Sequence, residues 1–208
     1  MHAQLESNQP VMDLDVERQL RHRMAMAGPS DMTRGIFFNG ALEVARALGG
    51  SEAADRCRYV LGEKRFVDFF NYSVGDLLRM SLEMIRVVGA HAGGCAGVLR
   101  RLGMQNARDF LATAPGKTML LLTGNNPRRM LSQLPTSFHT AVTFGERRVI
   151  WSTQERVGHF VVQRDLMPPV YTKGLLQGLL ESTGAQGVHV SGWPTGMLDS
   201  EYEVRWER

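Results

Sequence analysis

Glu201-Tyr202-Glu203-Val204-Arg205-Trp206 sets a charged residue against an aromatic or aliphatic one at every second position. Successive side chains of a β-strand point to opposite faces, so Tyr202, Val204 and Trp206 share one face and Glu201, Glu203 and Arg205 the other. Parallel strands covered on both faces would be apolar throughout, so this alternation points to an antiparallel sheet with helices on one side only. Working back from this stretch, Gly187 to Ser191, His159 to Gln163 and Arg147 to Ser152 read as further strands. So does Phe138 to Phe144, where Phe138, Thr140, Val142 and Phe144 alternate with His139, Ala141 and Thr143; Gly145-Glu146 predicts a hairpin turn into the next strand. Pro168-Pro169 interrupts the strands and opens a helix over Val170 to Ser182, in which Gly174 and Gly178 lie four apart and leave room for a close neighbour.

Before Pro135 the period is helical. Val16 to Met26 makes a loose helix that Gly28-Pro29-Ser30 ends, and Ser30 or Asp31 is expected to cap the next. There Ile36, Phe37, Ala41, Val44, Ala45 and Leu48 form one stripe, stopped by Gly49-Gly50. Ser51 caps a short helix carrying Cys57, Val60 and Leu61. Ser73, at capping-box spacing from Asp76, starts a long one with Val74, Leu77, Leu78, Leu82, Ile85 and Val88 inward until Gly93-Gly94. Shorter helices follow over Cys95 to Leu102, Gln105 to Ala114, Gly116 to Leu122 and Pro127 to Leu134, the last with Asn126 as N-cap. The fold class is therefore α+β, an N-terminal helical layer followed by a C-terminal antiparallel sheet with one inserted helix. Residues 1–12 read as a mobile tail and 13–208 as a single domain.

A chain of 208 residues with 43% hydrophobic and 22% charged content is long enough for one sizeable core and too apolar for wholesale disorder. No apolar run reaches the roughly 20 residues of a membrane span, and Met1 to Asp15 lacks the shape of a secretory signal, so a cytoplasmic location is expected. Two cysteines, Cys57 and Cys95, are too few for a disulfide framework and are expected to be small core residues. The net charge of +3 is uneven: Arg100 to Arg164 holds ten basic residues against Asp109, Glu146 and Glu155. Only Lys64, Lys117 and Lys173 are lysine, so the positive charge is almost all guanidinium, a shape suited to bidentate contact with oxyanions. Arg128, Arg129, Arg147 and Arg148 are the candidate anion-binding residues.

No catalytic motif is intact. Gly116-Lys117-Thr118 ends like a phosphate-binding loop, but Leu111 stands where its first glycine is required. Asn71-Tyr72-Ser73-Val74-Gly75 approximates a nucleophile elbow, but Asn71 replaces the first glycine. Asp68 and Asp76 straddle a helix boundary. His139, His159 and His189 share strand parity, yet no carboxylate or cysteine is fixed beside them to complete a metal site. The helical layer, by contrast, is dense in aromatics and methionine. Phe37-Phe38 and Phe69-Phe70 are adjacent pairs that cannot both point inward on one stripe, so Phe37, Phe38, Phe69, Phe70, Tyr72, Met80 and Met84 are the candidate ligand- or partner-binding residues.

Arg34-Gly35-Ile36-Phe37-Phe38-Asn39-Gly40, Phe66-Val67-Asp68-Phe69-Phe70, Asn126-Pro127-Arg128-Arg129 and Leu198-Asp199-Ser200-Glu201-Tyr202 together resemble the myxobacterial paralogous family of conserved hypothetical proteins, over about residues 13 to 207. That resemblance implies no activity. The order helices, strands, helix, strands is also similar to the superfamily of haem-dependent nitric-oxide sensors, vinyl-reductase-like ligand domains and vesicle-tethering subunits. It implies a binding module. Departures exclude much of the family chemistry from the expectation: no histidine lies between Asp109 and Phe138, no Tyr-x-Ser-x-Arg motif occurs, and no cysteine follows Cys95. The expectation is a non-catalytic sensor or adaptor without cofactor or metal, binding a small apolar ligand or a partner protein and forming a homodimer. An anion- or nucleic-acid-associated regulator using the central arginines is the alternative.

Overall fold

A computed structural model describes residues 9–62 and 65–208 of the chain. In order they form α1 (Gln9–Met26), β1 (Met32–Arg34), α2 (Gly35–Tyr59), β2 (Asn71–Ser73), α3 (Val74–Val88), α4 (Gly94–Ala112), α5 (Ala114–Thr123) and α6 (Pro127–Ala141). There follow β3 (Glu146–Trp151), β4 (Val157–Gln163), α7 (Pro169–Glu181), β5 (His189–Pro194) and β6 (Ser200–Arg205). The architecture is the expected α+β. Residues 1–8 of the expected tail lie outside the described residues, and from Gln9 the chain is helical. No single described helix is long and apolar enough to cross a membrane.

The four C-terminal strands form one antiparallel sheet in the order β3-β4-β6-β5. Tyr202, Val204 and Trp206 are buried while Glu201, Glu203 and Arg205 are not, as their alternation requires. In register, Phe160 lies opposite Tyr202 and Val149 opposite Phe160, so the inner face is a continuous apolar surface. Helices α6 and α7 cover that face, and α4 packs behind α7. The glycines of α7 make this possible: a Cβ at Gly174 would lie 2.2 Å from the Arg100 carbonyl oxygen, and one at Gly178 3.0 Å from the Ala107 methyl. From the α4 side, Gly103 faces the Tyr171 carbonyl oxygen in the same way.

Ser73 caps α3 by accepting a hydrogen bond from the Gly75 N–H, and its six predicted inward residues are all buried, together with Met80 and Met84. The Gly49-Gly50 stop appears as a break within α2, where Gly50 takes a φ of 75°. Burial of Cys57 and Cys95 matches their reading as core residues, and burial pushes the Cys57 thiol up to about 12.

Four local expectations are corrected. Phe138 to Phe144 is not a strand, because α6 continues through Pro135 to Ala141. Asn126 accepts from the Arg129 N–H and Pro127 occupies the first turn, so the helix is already nucleated; Leu131, Leu134 and Phe138 then satisfy its period as well as a strand's. Only Val142 pairs in β fashion, in an isolated bridge with Thr33. The hairpin accordingly joins β3 to β4, not across Gly145-Glu146. Ser30 and Asp31 do not cap α2, which starts after Arg34; Cys95 to Ala112 runs as one helix through Gly103.

Asp31 instead receives two bonds from the Arg164 guanidinium, at 2.6 and 2.7 Å, and one from the Gly28 N–H. The guanidinium holds its carboxyl below the usual carboxylate range. This pair ties the α1–β1 turn to the loop after β4, where Arg164 keeps a φ of 54°.

Candidate functional site

The helical layer and the sheet do not meet perfectly. Where α6 and α7 cross the inner face, a cavity of about 50 Å³ remains, roofed by Phe37, Leu77, Phe110 and Leu134 and floored by Phe160 and Val162. Phe138 and Ala141 close one side, Leu175 and Leu179 the other. A space of roughly 10–15 Å³ admits a water, so this cavity exceeds an ordinary packing void.

Its polar end is built from Arg147, Asp165, Tyr171 and Thr172. Arg147 is on the inner face of β3; it donates to the Phe144 and Gly145 carbonyl oxygens at 2.8 and 3.0 Å and stacks over the Phe138 ring at 4.3 Å. Asp165 accepts from the Met167 N–H, the Thr172 hydroxyl and the Tyr202 hydroxyl, each at 3.1 Å. Burial pushes the Asp165 carboxyl up, with the Arg147 and Arg23 guanidinium groups opposing it, and pulls the Arg147 guanidinium down. Tyr171 accepts from Asn106 Nδ2 at 3.0 Å, and burial raises its phenol. The arrangement can fix the orientation of a small, mostly apolar guest. It offers no nucleophile–base pair.

A surface groove of about 230 Å³ runs over the outside of this cavity, rimmed by Arg34, Asp68, Phe69 and Pro115. Phe37, Phe110 and Ala141 line both spaces and so form the partition between them. Arg34 holds the rim together by donating to the Thr140 and Phe69 carbonyl oxygens at 3.0 and 2.7 Å.

Among the expected binding residues, Phe37 reaches the cavity. Phe38 stacks on Phe66 at 4.4 Å with Tyr72 edge-on, a cluster within the helical layer, and Met80 and Met84 are fully buried in α3. Phe69 and Phe70 are 70% and 55% exposed, packed edge to face, with Phe69 on the groove. The four arginines do not converge. Arg128 and Arg129 sit in the first turn of α6, with Arg128 4.0 Å above the Trp151 ring; Arg147 is inside, and Arg148 is on the outer face of the sheet. Strand parity alone separates the last two.

The histidines also separate. His139 is an exposed residue of α6, not a strand residue, and His159 and His189 lie on strands with β6 between them. Contrary to expectation a carboxylate is fixed beside one of them, His159 Nδ1 lying 2.8 Å from Glu201, because the two share one face of the neighbouring strands β4 and β6; among the described residues no group of three ligands forms. The sequence reading missed Phe110, Ala141, Asp165 and Tyr171. The available signal was a buried pattern of polar residues on an apolar helix face, Tyr171-Thr172 beside Leu175 and Leu176, which calls for polar partners.

The family described as "Protein of unknown function (DUF2378)" matches residues 27–207. No curated protein matches the chain. Among solved structures, the chain is similar to the Fe(II) unliganded H-NOX protein from K. algicida (TM-score 0.67, 13% identity, covering 84% of this chain and 97% of that one). It is similar also to an H-NOX protein from S. oneidensis in the Fe(II)NO ligation state (TM-score 0.68, 11% identity, 84% and 99%). A third is a mutant of T. Tengcongensis H-NOX (TM-score 0.59, 11% identity, 84% and 98%). These TM-scores show a shared fold.

The residues here do not fit a haem iron. None of the cavity's lining residues is a histidine or cysteine; the remaining ligand types are the thioether of Met167 and the Tyr171 phenol, whose pKa burial pushes up. A space of about 50 Å³ admits a guest of a few atoms, not a macrocycle.

Proposed function

We propose that this chain, which belongs to the DUF2378 family of proteins of unknown function, is a non-catalytic module that binds a small apolar ligand between its helical layer and its sheet. The carrying observation is the cavity of about 50 Å³ in a core otherwise packed to backbone contact. Cavities lined mainly by aliphatic and aromatic groups accept apolar guests of matching size. Arg147 and Asp165 supply the few polar groups that orient a ligand in such a site.

The ligand enters from the groove. Phe37 is the movable member of the partition, because it sits early in α2 and borders open space on its groove side. Displacing it would join the two spaces, bringing the volume toward the lower end of ordinary small-molecule sites, roughly 300 Å³.

Xenon is a probe of suitable size. The expected outcome is a saturable xenon NMR shift with the wild-type chain, and its loss in Ala141→Leu, whose added side chain fills the partition. A wild-type response that rises linearly with xenon pressure, as for surface contact, or one that survives Ala141→Leu, overturns the reading. Retention of the near-ultraviolet circular dichroism of Ala141→Leu shows that the loss is not unfolding.

A further inference from the structure

Arg23, in the last turn of α1, is only 4% exposed and among the described residues makes no hydrogen bond or ion pair. Its Nε is buried without an acceptor. Buried charges are ordinarily paired, and a guanidinium whose Nε–H is buried without an acceptor is a costly exception. Nearby Asp165 does not supply the missing acceptor: its oxygens take bonds from Met167, Thr172 and Tyr202 and none from Arg23. That single carboxyl also lies within the field of two guanidinium groups, Arg147 and Arg23. The local charge is therefore short of an anion.

Space for one is present. Arg23 borders a surface recess of about 380 Å³ between α1, the start of α7 and the end of β5, which shares no lining residue with the groove and cavity described above. Arg18 and His22 stand at its mouth, and Pro169, Pro194 and Met197 form an apolar wall. Asp15 and Gln19 complete the lining, but the Asp15 carboxylate is turned to its own helix: Oδ1 accepts from Arg18 at 2.6 Å and Oδ2 from Gln19 at 2.9 Å. Pro169 is in the first turn of the 13-residue α7, which has no side-chain cap, so the positive end of its dipole adds to the same field.

We propose that this recess is an oxyanion site, taking a small organic acid or phosphate whose oxygens bond the Arg23 guanidinium while its apolar portion rests on Pro194 and Met197. Arg18 keeps the Asp15 carboxylate neutralised at the mouth, and His22 stands beside it. Arg23 closes on the anion.

The test titrates the full chain with sodium phosphate and, separately, sodium acetate, at constant ionic strength set by sodium chloride, and reads the thermal midpoint and titration heat. A saturable response to one anion is expected, and which anion saturates separates the phosphate from the carboxylate source. Arg23→Gln is expected to abolish it. No saturation with either anion, or saturation unchanged in Arg23→Gln, overturns the proposal. If Arg23→Gln does not fold, the double variant Arg18→Ala/His22→Ala, altered only at exposed positions, is expected to weaken binding about fivefold. An unchanged dissociation constant in that variant overturns the proposal equally.

Discussion

Helix α4 approaches a neighbour closely on two of its faces, and glycines permit both approaches. Toward α7, Gly103, Gly174 and Gly178 bring backbone onto backbone; toward α2, Gly40 lets the side chains of Asn106 and Asp109 come within 1.9 to 2.9 Å of where a Cβ would stand. The difference lies in what is buried. Carbonyl groups at the α7 seam already accept hydrogen bonds within their own helices, so close contact there costs little and gains dispersion. At the α2 seam Asn106 Oδ1 and Asp109 Oδ2 are buried with no donor. Two seams of similar tightness thus differ in polar satisfaction.

The sharpest way to break the comparison is Gly174→Ala. Its Cβ would lie 2.2 Å from a backbone oxygen of α4, which can yield only if the helices separate. The expected loss is about 3–5 kcal/mol, read as a lowered denaturation midpoint with a cooperative transition. An unchanged midpoint would mean that α4 and α7 are not in backbone contact. Gly40→Ala is the counterpart. Its added methyl meets a carboxylate that can rotate, and alanine is the better helix former by about 1 kcal/mol, so the expected loss is smaller, about 1–2 kcal/mol. Reversal of this order would show that the polar seam is the more rigid.

The α7 seam was legible in the sequence, since Gly174 and Gly178 at a four-residue spacing have few other uses in a helix. The partner helix was not, because nothing local to α7 names α4. The same limit explains Phe138. Leu131, Leu134 and Phe138 satisfy a helical period, and Phe138, Thr140, Val142 and Phe144 a strand period; the choice is made by contacts far along the chain, with Phe160 at 5.8 Å and the Arg147 guanidinium over the ring. Glu201 to Trp206 carried no such ambiguity, because its charged residues fit only one period. The candidate site was the least legible part. Its cavity is a gap between eight elements, and a gap leaves no motif; only Phe37 among the chosen aromatics borders it. Asp165 and Arg23 carry ordinary charged letters, and burial alone makes them unusual.

Asp109→Asn sharpens the comparison most, because it repairs one seam and leaves the other untouched. Burial pushes the Asp109 carboxyl up to about 6, with Gln105 opposing and Glu43 and Asp68 adding to the rise. A carboxyl raised in the folded state binds its proton more tightly there than in the unfolded chain, so its ionisation destabilises the fold as pH climbs from the ordinary carboxylate range through 6. An asparagine carries no charge and brings an N–H₂ group to the side of Asn106 Oδ1, offering a donor to an orphaned acceptor. At pH 7.5 the variant is expected to be more stable than wild type by about 1–2 kcal/mol, an advantage that shrinks toward zero at pH 4. Thermal midpoints of both proteins across that range decide it. A variant that is less stable at pH 7.5, or one whose advantage does not change with pH, would mean that Asp109 is satisfied as an anion and that the two seams of α4 do not differ in the way described.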